Sequence, residues 1–188
     1  MSELSQTLSS GEITQLFIRS TDEVSEEQYF DVINRKTACL FSCSASLAAV
    51  TSGASADEIN SFSQFGAMAG IAFQIRDDIF DYFPSPETGK PSGNDLQEGK
   101  ITLPLIFAIN SSGKDMSELV RSVRSCTATR EQLQEISEFA VQNGGIEYAE
   151  QCMDKYREKA LSYLPSNMSD TLRRSFTDYL SLLIYRDR

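Results

Sequence analysis

The stretch from Ala56 to Tyr82 constrains this chain more than any other. Ile59, Phe62, Phe65, Ala69, Ala72 and Phe73 fall on one stripe at helical spacing, while Gly66, Met68, Gly70, Ile71 and Ile75 fill much of the remaining surface. A helix that is apolar most of the way round belongs at the centre of its domain. Small residues at 66, 67, 69, 70 and 72 let neighbouring helices approach closely. Yet the helix ends in Phe73-Gln74-Ile75-Arg76-Asp77-Asp78-Ile79-Phe80-Asp81, which puts three aspartates on an apolar run. A buried carboxylate is strongly disfavoured unless it is paired or holds a metal. This end of the helix therefore opens either to water or to cations.

The rest of the chain reads as helix too. Residues 3–20 carry Leu4, Leu8, Ile13, Leu16 and Phe17 as one or two short helices interrupted at Gly11. Ser25 with Gln28 resembles a capping box and opens a helix to about Val50, with Tyr29, Val32, Ile33, Lys36, Leu40, Cys43 and Leu47 at spacings of three and four. Ser55 with Glu58 forms a second capping box ahead of the central helix. Residues 84–99 hold three of the five prolines and three of the ten glycines, so most of this stretch is not helical. A loop this long within a domain is usually functional or disordered. Thr102-Leu103-Pro104 then starts an apolar helix to about Asn110, with Pro104 in the tolerated first turn. Further helices are expected near 114–125, 129–142, 145–163 and 169–185, with Thr129 and Ser169 as caps. There is no strand-like alternation and no internal repeat. The expected fold is a single all-α domain over residues 1–188, a helical bundle.

Composition removes several classes of function. Net charge is −10 over 188 residues, the wrong sign for a phosphate-backbone binder, so no nucleic-acid partner is expected. The sequence has no histidine, which excludes Ser-His-Asp and Cys-His catalysis and the usual transition-metal ligands. A metal here would be a hard cation held by oxygen, magnesium or calcium. The four cysteines, at 39, 43, 126 and 152, lack metal-knuckle spacing and read as reduced thiols. No apolar run reaches the roughly 18 residues of a membrane span, and the polar start Met1–Gln6 has no signal-peptide pattern. A cytoplasmic location is the expectation.

On a helix, Gln74, Asp77, Asp78 and Asp81 share a face, at spacings of three and four. Carboxylates one turn apart suit magnesium, which takes one or two of them together with water and substrate phosphate. A solvated acidic helix end is the alternative reading of D-D-x-x-D alone. The long loop brings Lys90, Asp95 and Lys100 back to the same end of the helix, and Lys36-Thr37 interrupts an otherwise apolar stretch. Carboxylates with hard cations, ringed by lysines, make a site for a polyphosphate held through magnesium. Gln74 also reads as a core amide, and Thr37 as a threonine bonded to its own preceding turn. Arg76 reads as paired with an acid on another face, and Arg173, Arg174, Arg186 and Arg188 as surface charge at helix ends.

Taken together these residues resemble a known family. Lys36-Thr37, Phe73-Gln74-x-x-Asp77-Asp78-x-x-Asp81, Gly89-Lys90 and Asp95-Leu96-x-Glu98-Gly99-Lys100-x-Thr102-Leu103-Pro104 are similar to motifs of the trans-type polyprenyl diphosphate synthases, which include octaprenyl, geranylgeranyl and farnesyl diphosphate synthases. Gly11-Glu12-x-x-Gln15-Leu16 and the tail Tyr185-Arg186-Asp187-Arg188 also match. The long-chain bacterial branch fits best, from Glu98-Gly99-Lys100. The resemblance implies a bundle of the isoprenoid-synthase type, incomplete at its N-terminal side. A full member carries a first aspartate-rich motif upstream, whereas this chain has D-D-x-x-D only at Asp77–Asp81. The chain thus corresponds to a C-terminal portion, whether by fragmentation or natural truncation.

The resemblance also implies roles. Asp77 would bind magnesium, with Asp78 and Asp81 supporting it through water. Lys36, Lys90 and Lys100 would contact diphosphate. Lys36 also belongs with Thr37 and Gln74 to the catalytic group, the last two near the developing allylic cation. The reaction implied is head-to-tail condensation of isopentenyl diphosphate with an allylic prenyl diphosphate, with the isolated chain inactive. The competing class is a non-catalytic module that binds diphosphate or a partner subunit. A terpene-synthase-like helical fold is a further rival, but its second metal motif has a different Asn/Ser/Glu pattern. With upstream helices missing, the apolar Ala56–Tyr82 helix is expected to drive homo-oligomerisation or a rearrangement of the first helix.

Overall fold

Apolar residues at helical spacing become helix almost wherever the sequence provides them. In the computed structural model, which describes residues 2–21, 24–83 and 93–185, no β-strand occurs among the described residues. The elements in order are α1 (Ser2–Arg19), α2 (Glu26–Ile33), a π-helical turn (Asn34–Ala38), α3 (Cys39–Thr51), α4 (Ala56–Phe80), α5 (Asn94–Gln97), α6 (Leu103–Ser112), α7 (Ser117–Arg124), α8 (Arg130–Gln142), α9 (Gly145–Ser162) and α10 (Asp170–Tyr185). The chain divides into two units. The first takes residues 1–12, 32–74 and 152–187; the second takes 13–31, 75–151 and 188. Helices α1, α2, α4 and α9 contribute residues to both.

The first unit is built on close backbone approach. A Cβ placed on Gly66 would lie 2.5 Å from the Phe41 carbonyl oxygen and 2.9 Å from the Ala45 Cβ. One on Gly70 would lie 2.8 Å from the Ala38 Cα. The small residues of α4 thus seat α3 directly against it, as their spacing predicts. Phe41 and Phe73 meet with ring centroids 5.3 Å apart, and Phe176 of α10 packs against both Phe62 and Phe65. Gly11 does not interrupt α1. It is buried within that helix, where a Cβ would press on the Lys36 Cγ at 2.8 Å and the Arg35 Cβ at 2.9 Å.

One reading changes here. Residues 26–50 do not form a single α-helix, because the π-helical turn intervenes, with the Cys39 N–H bonded to the Asn34 carbonyl five residues back. Such a turn holds one extra residue and rotates everything after it. Ile33 and Ala38, five apart, are both buried, and the inward side of α3 continues through Ser42, Ala45 and Ala49. Leu40 and Leu47, which an unbroken helix would bury, are 42% and 61% exposed.

The capping box at the start of α4 is formed. The Ser55 N–H donates to Glu58 Oε2 (2.9 Å) and the Glu58 N–H to Ser55 Oγ (3.4 Å). The Ser55 backbone N–H first, then its hydroxyl and the Asn167 side chain, hold the Glu58 carboxyl below its ordinary value. For an acid with a lowered folded pKa, the stabilisation is present above the unfolded value and is lost as pH falls through the folded one. Thermal unfolding from pH 7 to pH 3 should therefore show Glu58→Gln converging on the wild type at the acid end. A constant gap at every pH would contradict this.

The second unit centres on Ile75, Leu103, Leu105, Val123 and Ile136, all fully buried. Thr102 adopts extended backbone ahead of α6, and Pro104 occupies its first turn. Thr129 and Gln132 close the expected capping box on α8. Phe107 stacks on Tyr148 at 4.1 Å, and the Tyr148 hydroxyl donates to Glu26 Oε1 (2.7 Å). Residues 84–92 of the long loop, which include Gly89 and Lys90, lie outside the described residues. Beyond them the loop returns through Gly93 (φ 82°), the single turn α5, and Gly99 (φ 76°). Gly99 faces the Arg124 carbonyl and the Arg19 guanidinium, each about 3 Å from where a Cβ would sit.

The strongly exposed apolar side chains are not on α4, where Ile71, Ala72, Ile75 and Ile79 are buried. They sit on α1 (Ile13, Leu16, Phe17), on α3 (Leu40, Leu47, Val50) and on α10 (Leu172, Tyr179, Leu182). The exposed apolar surface expected on α4 is therefore found on other helices. Among the described residues no helix is long and apolar enough to cross a membrane. No disulfide joins the four cysteines, all of which lie among the described residues.

Candidate functional site

In the second unit the three aspartates take three different partners. The Asp77 side chain is 40% exposed. It accepts from Nε of Arg76 at 3.1 Å and is also ion-paired to the same guanidinium. Arg76 itself is buried and lies over the Phe80 ring, 5.1 Å from its centroid. Arg76 thus pairs with the adjacent acid. Asp78 is buried and accepts a 2.7 Å hydrogen bond from the Tyr29 hydroxyl, also buried. Burial first, then the Asp78 carboxylate, pushes the Tyr29 phenol well above its ordinary value, so Tyr29 stays a donor.

Asp81 turns towards the returning loop. Its Oδ1 accepts from the Asn94 N–H (3.0 Å), its Oδ2 from the Asp95 N–H (2.9 Å), and its carbonyl from the Gly93 N–H (2.7 Å). Burial raises the Asp81 carboxyl; the two backbone N–H groups pull it partly back. Asp95 in turn accepts from Lys100 Nζ at 3.0 Å, and Glu98 accepts from the same ammonium at 2.6 Å. Burial acts against the charge on Lys100, but Glu98 and Asp95 outweigh it and carry the pKa up to about 12. Lys100 is a permanent cation at neutral pH. Tyr82, buried beside this group, shares a 3.5 Å contact with the Thr102 hydroxyl.

In the first unit the sequence-predicted Thr37 and Gln74 do come together. The Thr37 hydroxyl donates to Gln74 Oε1 at 2.7 Å. Thr37 sits in the π-helical turn, an element often found at functional sites. Lys36, in the same turn, pairs with Glu12 of α1 at 3.0 Å. Lys90 lies outside the described residues.

Among the described residues no group of three or more Asp, Glu, Cys or His side chains converges as a metal cage. The donor set still fits a hard cation shared with substrate. It consists of oxygen donors: Asp77 is partly exposed beside Arg76, Asp78 is buried and Asp81 is half-buried. Magnesium is commonly held by one or two carboxylates, with water and substrate phosphate completing the shell. Sequence reasoning missed Tyr29 as the anchor of Asp78. A signal existed, since a buried tyrosine needs a partner for its hydroxyl, but the 3.6-residue pattern marked Tyr29 only as core.

Residues 1–140 match the family model described as Polyprenyl synthetase. The chain belongs to the polyprenyl synthetase family. This polyprenyl synthetase chain is 30% identical to the octaprenyl diphosphate synthase of Escherichia coli K12 over all of its own length and 58% of that protein's. It is 36% identical to the heptaprenyl diphosphate synthase component 2 of Bacillus subtilis, over 86% of itself and 47% of the relative. The crystal structure of geranylgeranyl pyrophosphate synthase from Bacteroides thetaiotaomicron superposes with a TM-score of 0.91 at 40% identity, covering 98% of the chain and 62% of that structure. The polyprenyl synthase of Caulobacter crescentus CB15, complexed with calcium and isoprenyl diphosphate, gives 0.88 at 29% identity, covering 100% and 58%. The polyprenyl synthetase chain thus spans about half the length of these two relatives, 58% of one and 47% of the other. The all-α isoprenoid-synthase fold expected from the sequence is the fold found.

Proposed function

We propose that this chain is the C-terminal portion of a single polyprenyl synthetase domain. That domain would catalyse the head-to-tail condensation of isopentenyl diphosphate with an allylic prenyl diphosphate. One observation carries the reading. At the end of α4 the three carboxylates are held differently: Asp77 is 40% exposed beside Arg76, Asp78 is buried against Tyr29, and Asp81 is half-buried and tied to the amides of Asn94 and Asp95. That division suits a carboxylate presented to a metal-diphosphate better than a solvated acidic end, where all three would point outward. The calcium and isoprenyl diphosphate held by the Caulobacter relative support it.

In this reading Asp77 would hold magnesium, with Asp78 and Asp81 in support. When bound, magnesium stabilises the charge on the departing diphosphate. Lys36, Lys90 and Lys100 would bind diphosphate oxygens; Lys100 is suited to this because its charge persists at any physiological pH. Thr37 commits its proton to Gln74. Its oxygen lone pairs are then left as the negative end of a dipole, which suits a developing allylic cation. No histidine base is needed, because the released diphosphate can take the proton. A cytoplasmic location belongs to the same reading.

The test is an incubation of the purified chain with magnesium, isopentenyl diphosphate and farnesyl diphosphate, alongside magnesium-dependent binding of inorganic diphosphate. Diphosphate binding without elongation is expected of a chain with one D-D-x-x-D motif. Elongated products would remove the binding-only alternative, and absence of magnesium-dependent binding would remove the present reading. We also propose self-association through the exposed apolar residues Leu172, Tyr179 and Leu182. A sedimentation coefficient that does not rise with concentration would count against it.

A further inference from the structure

The third aspartate of the motif is built into the protein rather than aimed away from it. The segment it touches opens at Gly93, whose φ of 82° leaves it the N-cap of α5 with no side chain to cap the helix. Asp81, just past the end of α4, supplies that cap, one carboxylate oxygen to each of the next two amides, at 3.0 and 2.9 Å. Its own carbonyl takes the Gly93 N–H at 2.7 Å. Three consecutive backbone N–H groups are therefore fixed by one residue. The last of them belongs to Asp95, which holds Lys100 twice: its carbonyl accepts the Lys100 N–H (2.8 Å) and its carboxylate the ammonium (3.0 Å). The line Asp81–Asp95–Lys100 is continuous, and each bond in it is within ordinary hydrogen-bonding distance.

We propose that Asp81 is a positioning residue, which fixes the diphosphate-binding Lys100 through Asp95 instead of ligating the metal. This rests on the reading of Lys100 given above. A carboxylate whose two oxygens each accept a charge-assisted bond from a fixed amide is anchored in place. Turning it towards a cation would release the Asn94 and Asp95 amides inside a part-buried segment. The sequence spacing of three and four, which groups Asp81 with Asp77 and Asp78, describes only the helix face and not what the returning loop brings to it.

The experiment is a double-mutant cycle on the full chain, read by calorimetric titration of inorganic diphosphate at saturating magnesium and of magnesium at saturating diphosphate. Asp81→Ala and Lys100→Ala should each weaken diphosphate binding about tenfold, and the double variant by little more than either, since coupled residues are not additive. The magnesium midpoint of Asp81→Ala should stay near that of the wild type. Multiplying effects, or a magnesium midpoint shifted about tenfold by Asp81→Ala alone, would overturn the proposal and make Asp81 a ligand. If Asp81→Ala does not fold, Asp81→Asn replaces it in the same cycle, and NMR amide exchange gives a second readout. Faster exchange at Asn94 and Asp95 in Asp81→Asn is expected; unchanged exchange would refute the clasp. A wild-type chain that binds no diphosphate would sink the functional reading, while amide exchange would still decide whether the clasp exists.

Discussion

Exchanging Asp77 for asparagine is expected to weaken magnesium-dependent diphosphate binding by about 100-fold, or about 2.8 kcal/mol. The size follows from a comparison of roles. Removing a group that merely orients a metal ligand commonly costs about 10–100-fold in metal affinity, so losing the charge of the carboxylate proposed to hold the metal should reach the upper end. Asparagine is the right replacement because it keeps an oxygen to accept from Arg76, whose buried guanidinium would otherwise lose that acceptor. Isothermal titration with inorganic diphosphate at fixed magnesium gives the affinity, and a thermal melt of the same sample tests whether the fold survives. A loss below about threefold with an intact melt would mean that Asp77 is solvated acid and no ligand.

The second large effect is on stability. Gly145→Ala should cost about 3 kcal/mol, near the top of the range for forced overpacking, and lower the melting temperature by about 6–12 °C. A Cβ at Gly145 would collide with the Pro104 carbonyl oxygen at the start of α6 and lie 2.7 Å from the Ala140 carbonyl oxygen in α8. Both neighbours are backbone, so no side chain can swing away to make room. Gly113→Ala is the control: its φ of 66° brings conformational strain, but a Cβ there meets nothing within 4 Å, so about 1 kcal/mol is expected. Equal melting temperatures for the two variants would show that the approach of α6 to Gly145 is looser than described.

Most of the helices were legible in the sequence because period, caps and breakers agree at each of them. Ser55 with Glu58 and Thr129 with Gln132 mark their helix starts by the side-chain exchange they perform. What stayed hidden are features that one-dimensional spacing cannot encode. A 3.6-residue pattern passes through Asn34–Ala38 without seeing a wider turn, so it assigned Leu40 and Leu47 to the core. Gly11 looked like a helix breaker because the packing of Arg35 and Lys36 on it is long-range. The spacing groups Asp77, Asp78 and Asp81 on one helix face. Their different partners come from Arg76, Tyr29 and the amides of residues 94–95, and two of those three lie far along the chain.

The seam between α3 and α4 has a consequence for motion as well as for packing. At Gly66 and Gly70 it is tight, with atoms of Ala38, Phe41 and Ala45 2.5–3.1 Å from where a Cβ would sit, while Leu40, Leu47 and Val50 of α3 face outward. Alanine and glycine have no side-chain rotamers to freeze, so their share of the seam orders at almost no cost in side-chain entropy. The Phe41–Phe73 contact and the Ser42–Ser63 hydrogen bond are the parts that have rotamers to adjust. At the two glycines the helices part only by moving their backbones, which makes that stretch of the junction a stiff hinge-plate rather than a compliant cushion.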